Sequence, residues 1–285
     1  MSALSWRACA DLARDTLKLA PMLAGVDAIM GVPRSGMLPA SILACHMHKP
    51  LGTVHFEHGE RFFRCHHGSR LRSPPGDVIV AVVDDSVLTG SSMKVATGSL
   101  VAPTLARGVS GVIRACVYMQ PGAESHVDHF AVVVPSPRVF EWNLFGSEII
   151  RHSLIDIDGV LCPDPPMSED DEGAYSDYIA SAPVLYMPMH GVSGVVTNRL
   201  EKYREATICW LESNGIGFGS LRMAPFGSAS ARRRMSTPAA LKSAWYSTHT
   251  APGVLVESHD HIASEVASCT GRPVISIQSM RCFGG

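Results

Sequence analysis

Two apolar runs in this chain end in carboxylates, and that pairing constrains the fold more than any other feature. The first is Val78-Ile-Val-Ala-Val-Val83, followed by Asp84 and Asp85; the second is Ser153-Leu-Ile-Asp-Ile157, with Asp156 inside it and Asp158 just after it. A strand with one wet face alternates polar and apolar residues, and neither run does. Continuous Val/Ile runs are strands covered on both faces, the condition of a parallel sheet held between helices. Such sheets bind ligands at the carboxyl ends of their strands, where these acids stand.

The rest of the sequence extends the same pattern. Strands are predicted at 28–31, 109–119, 130–134, 192–197, 254–256 and 274–277, and helices at 4–23, 200–213 and 262–270, the last ending at Gly271 as a C-cap. The fold class is therefore α/β in both halves. Pro135-Ser-Pro137 and Phe140-Glu-Trp-Asn-Leu-Phe-Gly146 mark a passage between domains, which divides the chain into 1–148 and 149–285. Segments 55–75, rich in Arg and His, and 220–238, containing Arg232-Arg-Arg234, are predicted as long mobile loops.

Composition removes several classes of function. With 285 residues, 46% hydrophobic and 18% charged, the chain has ample material for two cores and is no disordered polymer. A net charge of −2 gives no overall basic field for nucleic acid or anionic lipid, so no nucleic-acid partner is expected and phosphate recognition must be local. No apolar run reaches the ~20 residues that cross a bilayer, so no stable membrane insertion is expected. Arg7, Asp11, Arg14 and Asp15 interrupt the N-terminal apolar positions, unlike a signal peptide, and the eight cysteines form no Cys-x-x-Cys pair. Both observations predict a cytoplasmic protein with reduced thiols.

The segment 80–92 joins a buried strand, Asp84 and Asp85, a loop of small and hydroxylated residues, and a helix start. Two carboxylates can accept hydrogen bonds from vicinal hydroxyls, and the loop Ser86, Val87, Leu88, Thr89, Gly90, Ser91 can offer N–H and O–H groups to a phosphate. This segment resembles the phosphoribosyl diphosphate (PRPP) motif of type I phosphoribosyltransferases. Upstream, Ile29-Met-Gly-Val-Pro-Arg-Ser-Gly36 is similar to that family's diphosphate loop, with Gly31 and Gly36 permitting close approach of an anion. The resemblance implies diphosphate contacts from Arg34, Ser35 and Gly36, ribose and 5-phosphate contacts from Asp84, Asp85 and 86–91, and Mg²⁺ carried with the substrate. It also places the family's catalytic loop within 55–75, where Arg61, Arg64, His66, His67, Arg70 and Arg72 supply cations but no lysine does.

In Ile155-Asp-Ile-Asp-Gly-Val-Leu161 two carboxylates stand two residues apart at a strand end, so both point to one side. One can attack phosphorus while the other moves protons, given a divalent cation to offset the crowded negative charge. This resembles motif I of the haloacid dehalogenase (HAD) superfamily. The resemblance implies Asp156 as nucleophile, Asp158 as general acid/base, Thr197 holding the phosphoryl group, Lys242 balancing charge, and Mg²⁺ held by Asp156 and Asp158 with Glu257 and Asp260 as further candidate ligands. Arg199, Lys202 and Arg204 are read either as sugar-phosphate contacts or as a solvated helix start. Only 162–191 separates the first two motifs, so any cap is a loop or minimal.

Together the resemblances imply an N-terminal phosphoribosyltransferase-like parallel-sheet domain and a C-terminal HAD-like Rossmannoid domain. They imply transfer of phosphoribosyl from PRPP to an acceptor, then removal of the 5-phosphate. That order of chemistry is similar to dual-domain ribofuranosyltransferases of surface-polysaccharide assembly, which suggests a glycan acceptor, although no motif names it. Two alternatives stay open: a nucleobase phosphoribosyltransferase with a nucleotidase half, and a PRPP-sensing domain gating a phosphatase. The oligomeric state is not written in the sequence.

Overall fold

The computed structural model describes residues 4–57, 60–66, 78–98, 109–167 and 172–284. They form two compact units, Met1–Arg138 and Val139–Gly285, so the division falls ten residues before the expected 148/149.

In the first unit β1 (Ser5–Arg7) precedes α1 (Cys9–Thr16), and β2 (Ala28–Gly31), α2 (Met37–Met47), β3 (Leu51–Glu57), β4 (Glu60–His66), β5 (Val78–Val87), α3 (Ser91–Gly98), β6 (Val109–Met119) and β7 (His129–Val133) follow. The six later strands make one sheet in the order β4-β3-β2-β5-β6-β7, parallel except for the antiparallel β3–β4 pair. The residues Val80, Ala81, Val82 and Val83 are all fully buried, as an unalternating run requires. Val80 and Val82 pack with Met93 and Ala96 of α3 and with Met30 and Met119. Each buried valine contributes about 1.5 kcal/mol or more.

The second unit opens with β8 (Arg138–Phe140) at the division, then β9 (Leu154–Ile155), α4 (Glu172–Ser181), β10 (Gly194–Leu200), α5 (Arg204–Ser213), β11 (Leu221–Ala224), α6 (Ala229–Met235), α7 (Pro238–Ser247), β12 (Leu255–Glu257), α8 (Asp260–Thr270), β13 (Val274–Ser276) and β14 (Arg281–Phe283). Its sheet runs β11-β10-β9-β12-β13-β14, with only β14 antiparallel. Leu154, Val196, Leu255 and Val274 meet Tyr246, Ala263 and Val266 in the core. Gly271 ends α8 with φ +64°, as the sequence predicts.

Several expectations are corrected. The helix predicted at 4–23 is β1, then α1, then 3₁₀ turns over Leu17–Leu23. Pro21 cannot donate to a continuing helix, and the Asp11 carboxylate accepts from Ala8 N at 3.0 Å, starting α1 late. Part of the predicted loop 55–75 is strand: β3 and β4 reach His66, so Arg61, Arg64 and His66 lie on β4. His67, Arg70 and Arg72 lie outside the described residues. The predicted loop 220–238 is β11 and α6, and Thr237 caps α7 by accepting from Ala240 N at 3.1 Å. Within 162–191, where the sequence predicts a loop or minimal cap, the structure has one helix, α4, with 168–171 outside the described residues. Among the described residues no helix is long and apolar enough to cross a membrane.

Candidate active sites

Both sheets reverse their winding once. In the first unit the chain passes from β2 to β3 on one side and returns to β5 on the other; in the second it runs β9, β10, β11 outward and returns to β12. A crevice opens at the carboxyl ends of the strands flanking such a switch. β2 and β5 flank the first, β9 and β12 the second.

At the first crevice β5 runs past Val83 to Val87, so Asp84 and Asp85 belong to the strand, each 5% exposed. Across from them the loop after β2 folds against the strand end: Val32 N donates to Val83 O at 3.0 Å, and the Pro33–Arg34 peptide bond is cis. Gly36 is required there, because a Cβ would fall 2.6 Å from Val32 O, 2.8 Å from Val83 O and 2.9 Å from Asp84 Oδ1. The two segments, some fifty residues apart in sequence, thus meet at Asp84. Arg34 is exposed and Ser35 half-buried. A pocket of about 130 Å³ is lined by Asp84 and by Ser86, Val87, Leu88, Thr89, Gly90, Ser91, Ser92 and Met93. Arg34, Ser35, Gly36 and Asp85 are not part of its lining. Gly90 turns with φ +71°, and the His126 ring occupies the space a Cβ would need.

Burial first, and the neighbouring Asp85 charge second, push the Asp84 carboxyl up to about 8. The sequence reading missed Arg138, whose guanidinium donates to Val87 O at 3.1 Å and to Val134 O at 3.3 Å. Burial lowers it and the Asp85 carboxylate partly offsets that, so it is a cation at the strand ends of a site without lysine. The available signal was an arginine just beyond a predicted strand.

At the second crevice Asp156 leaves β9 and Glu257 ends β12. Lys242 from α7 bridges them, with Nζ 2.5 Å from Asp156 Oδ2 and 2.5 Å from Glu257 Oε2. All three are buried. Asp156 Oδ1 accepts from Ile157 N at 2.8 Å, whereas Glu257 Oε1 takes Ser258 N (2.9 Å), Ser258 Oγ (3.0 Å) and His259 N (3.3 Å). Burial raises Asp156 well above the carboxylate range despite Lys242, and Glu257 adds to the rise. Burial would raise Glu257 too, but Lys242 outweighs it and holds the carboxyl low. Burial would lower Lys242, and the two carboxylates together raise it instead.

Asp158 belongs to a second ion pair. Arg199 approaches it with Nη2–Oδ1 at 2.6 Å and Nε–Oδ2 at 3.0 Å. Thr197 is buried beside it, its Oγ1 accepting from Arg199 N at 3.2 Å. Gly159 has φ +74°, and a Cβ there would fall 2.5 Å from Ser258 Cβ, so the turn after Asp158 lies against the end of β12. The structure thus gathers Asp156, Lys242 and Glu257, and separately Asp158, Thr197 and Arg199. Asp260 joins neither set: it opens α8 and its Oδ1 accepts from Ser276 Oγ (2.6 Å) and Ser279 Oγ (2.7 Å), which hold it below its ordinary value. Arg204 pairs with Glu201 and Lys202 lies 4.9 Å above the Tyr203 ring.

Among the described residues no three His, Cys, Asp or Glu side chains form a ready metal cluster. The acids at β9 offer oxygen donors only, the chemistry magnesium takes. Asp156 keeps acceptor capacity on both oxygens, while Glu257 is filled by its four donors.

The class these observations define is an α/β protein of two parallel-sheet units, each with acids at its switch point. No family model and no curated protein matches the chain. Among solved structures it is similar to a purine phosphoribosyltransferase from Pyrococcus horikoshii Ot3, at 24% identity over 49% of this chain and 93% of that one, TM-score 0.37. It is also similar to the Helicobacter pylori xanthine-guanine-hypoxanthine phosphoribosyltransferase (16% identity, 49% and 94% covered, TM-score 0.36) and to the orotate phosphoribosyltransferase from Aeropyrum pernix (23%, 44% and 71%, TM-score 0.34).

Proposed function

We propose that the chain is a bifunctional enzyme that transfers phosphoribosyl from PRPP to an acceptor and then removes the 5-phosphate. One observation carries the reading: in each unit, acids at the end of a central parallel strand face a segment remote in sequence across a topological switch point. In the first unit the acceptor hydroxyl attacks C1 of PRPP, the bond from C1 to diphosphate breaks, and the hydroxyl proton passes to the departing diphosphate. Asp84 and Asp85 hold the ribose hydroxyls, Ser86, Val87, Leu88, Thr89, Gly90 and Ser91 the 5-phosphate, and Arg34, Ser35 and Gly36 the departing diphosphate.

In the second unit an Asp156 oxygen attacks phosphorus, and the ester oxygen leaves with a proton from Asp158. Asp158 then takes a proton from water, which attacks the aspartyl phosphate, frees phosphate and restores Asp156. Thr197 orients the phosphoryl group and Lys242 offsets the charge of Asp156 and Glu257. Magnesium, when bound, would supply positive charge to offset the carboxylates and the phosphoryl group; Asp156 and Asp158 would hold it, whereas Glu257 is filled by its four donors and Asp260 is engaged by Ser276 and Ser279. The acceptor is a glycan in this reading.

Diphosphate release from PRPP with Mg²⁺, measured against glycan and nucleobase panels, tests the first half. Asp85→Asn is expected to lower it about 10- to 100-fold, the worth of a hydrogen bond to a charged group; unchanged release sinks the transferase assignment. Release with nucleobases alone moves the acceptor to that class. Hydrolysis of p-nitrophenyl phosphate that survives Asp156→Asn sinks the phosphatase half.

A further inference from the structure

Among the described residues Arg199 is the largest fully buried side chain, at 0% exposure. A guanidinium so enclosed cannot reach a sugar phosphate, which removes one of the two roles its sequence position suggests. It is not on a solvated helix start either: it lies on β10, two residues after Thr197. Its fork closes on Asp158 through Nη2–Oδ1 at 2.6 Å and Nε–Oδ2 at 3.0 Å. The same Nη2 also meets Cys162 Sγ at 3.3 Å, and the Tyr178 hydroxyl of α4 is 3.7 Å from that sulfur. Its backbone N–H bonds Thr197 Oγ1. One residue therefore joins these parts: its side chain holds the acid after β9 and meets Cys162, which the Tyr178 hydroxyl of α4 also meets, and its backbone holds the hydroxyl of β10.

A carboxylate without a fixed partner samples several rotamers, whereas two parallel N–H···O bonds from a rigid plane leave one. Asp158 stands on a turn beside the positive-φ Gly159, with its side chain 18% exposed. Its partner is buried and held through Nε and Nη2, while Arg199 Nη1 has no hydrogen-bond partner among the described residues. We propose that Arg199 is a positioning residue that fixes the Asp158 carboxylate in the orientation for proton transfer without touching substrate. The inference rests on the phosphatase reading, in which Asp158 moves the proton.

The test is a double-mutant cycle on p-nitrophenyl phosphate with Mg²⁺ in the full chain, using Arg199→Lys, Asp158→Asn and the double variant, with Asp156→Asn as control. Lysine keeps the charge and loses the fork. If Arg199 acts only through Asp158, Arg199→Lys lowers kcat about 10²-fold, within the range general acid–base groups contribute, and leaves KM within about twofold. The double variant then falls no further than Asp158→Asn alone. A rise in KM at constant kcat, or losses that multiply in the double variant, overturns the proposal in favour of a substrate contact. Thermal midpoints over the same cycle give a second readout: a coupling between the two residues supports the pair, and independent shifts overturn it. A wild type without hydrolysis sensitive to Asp156→Asn overturns the phosphatase reading itself, a result distinct from a failed cycle in an active enzyme.

Discussion

Lys242 serves two buried carboxylates with one charge. Glu257, with three further donors, is satisfied whether or not it shares the ammonium; Asp156 is not, and stays the more easily protonated of the two. Removing the ammonium leaves both acids buried without a counter-charge, a change that costs about 3–5 kcal/mol. Lys242→Met is therefore expected to lower the urea midpoint of the second unit strongly, and Lys242→Met with Glu257→Gln to recover part of the loss; equal midpoints for the two variants contradict the sharing. Asp84 gives a pH-dependent counterpart. Its folded value of about 8 lies above the unfolded carboxylate value of about 3.9. Between those values the folded chain keeps a proton that the unfolded chain has released, so the contribution to stability is full below about pH 4 and is lost as pH rises through about 8. Asp84→Asn is expected to gain stability relative to wild type from about pH 5 to pH 8, read from paired denaturation curves; parallel curves contradict a raised Asp84.

Elements show where sequence patterns suffice and where they fail. The buried strands were legible from their runs of apolar residues: 28–31 is buried throughout and 109–119 is buried over its last five residues, and both fall on the observed strands to the residue. The segment 220–238 was not, because a four-residue strand and a seven-residue helix carry too few positions to establish a period, and Ser228 and Thr237 read as loop residues when they cap α6 and α7. At the sites, the acids, the glycines and Lys242 were legible as motif residues, whereas the pairing of Arg199 with Asp158 and the place of Arg138 beside the strand ends were not, because both arise only when segments distant in sequence fold together. The loop after β2 depends on Gly36 in a way the sequence does suggest. Alanine there would press a methyl group against two backbone oxygens and the Asp84 carboxylate, and the backbone oxygens cannot retreat without moving a strand end. Gly36→Ala is expected to weaken PRPP binding about tenfold or more in a calorimetric titration while leaving phosphatase turnover of the second unit unchanged; tight binding by the variant means the loop does not approach the strand end as described.

At the scale of the whole molecule the consequence lies in the order of two reactions on one chain. Phosphoribosyl transfer makes a 5-phosphate ester, and the second unit, in the proposed reading, consumes one. For an acceptor that stays held by one unit, a shared chain turns the second encounter into an intramolecular one, so capture by the second unit competes with release of the intermediate. With PRPP, magnesium and a competent acceptor, wild type is expected to yield the ribosylated, dephosphorylated product with little phosphorylated intermediate, and Asp156→Asn to stop at the 5-phosphorylated species. Mixing Asp156→Asn chains with Asp85→Asn chains restores both activities but separates them, so the intermediate should accumulate transiently at nanomolar enzyme and fade as concentration rises. Mass spectrometry of the acceptor over time reads all three cases. Identical products from wild type and Asp156→Asn mean that the two units do not act in series. A mixture that matches wild type at every concentration means that they act in series but gain nothing from sharing a chain.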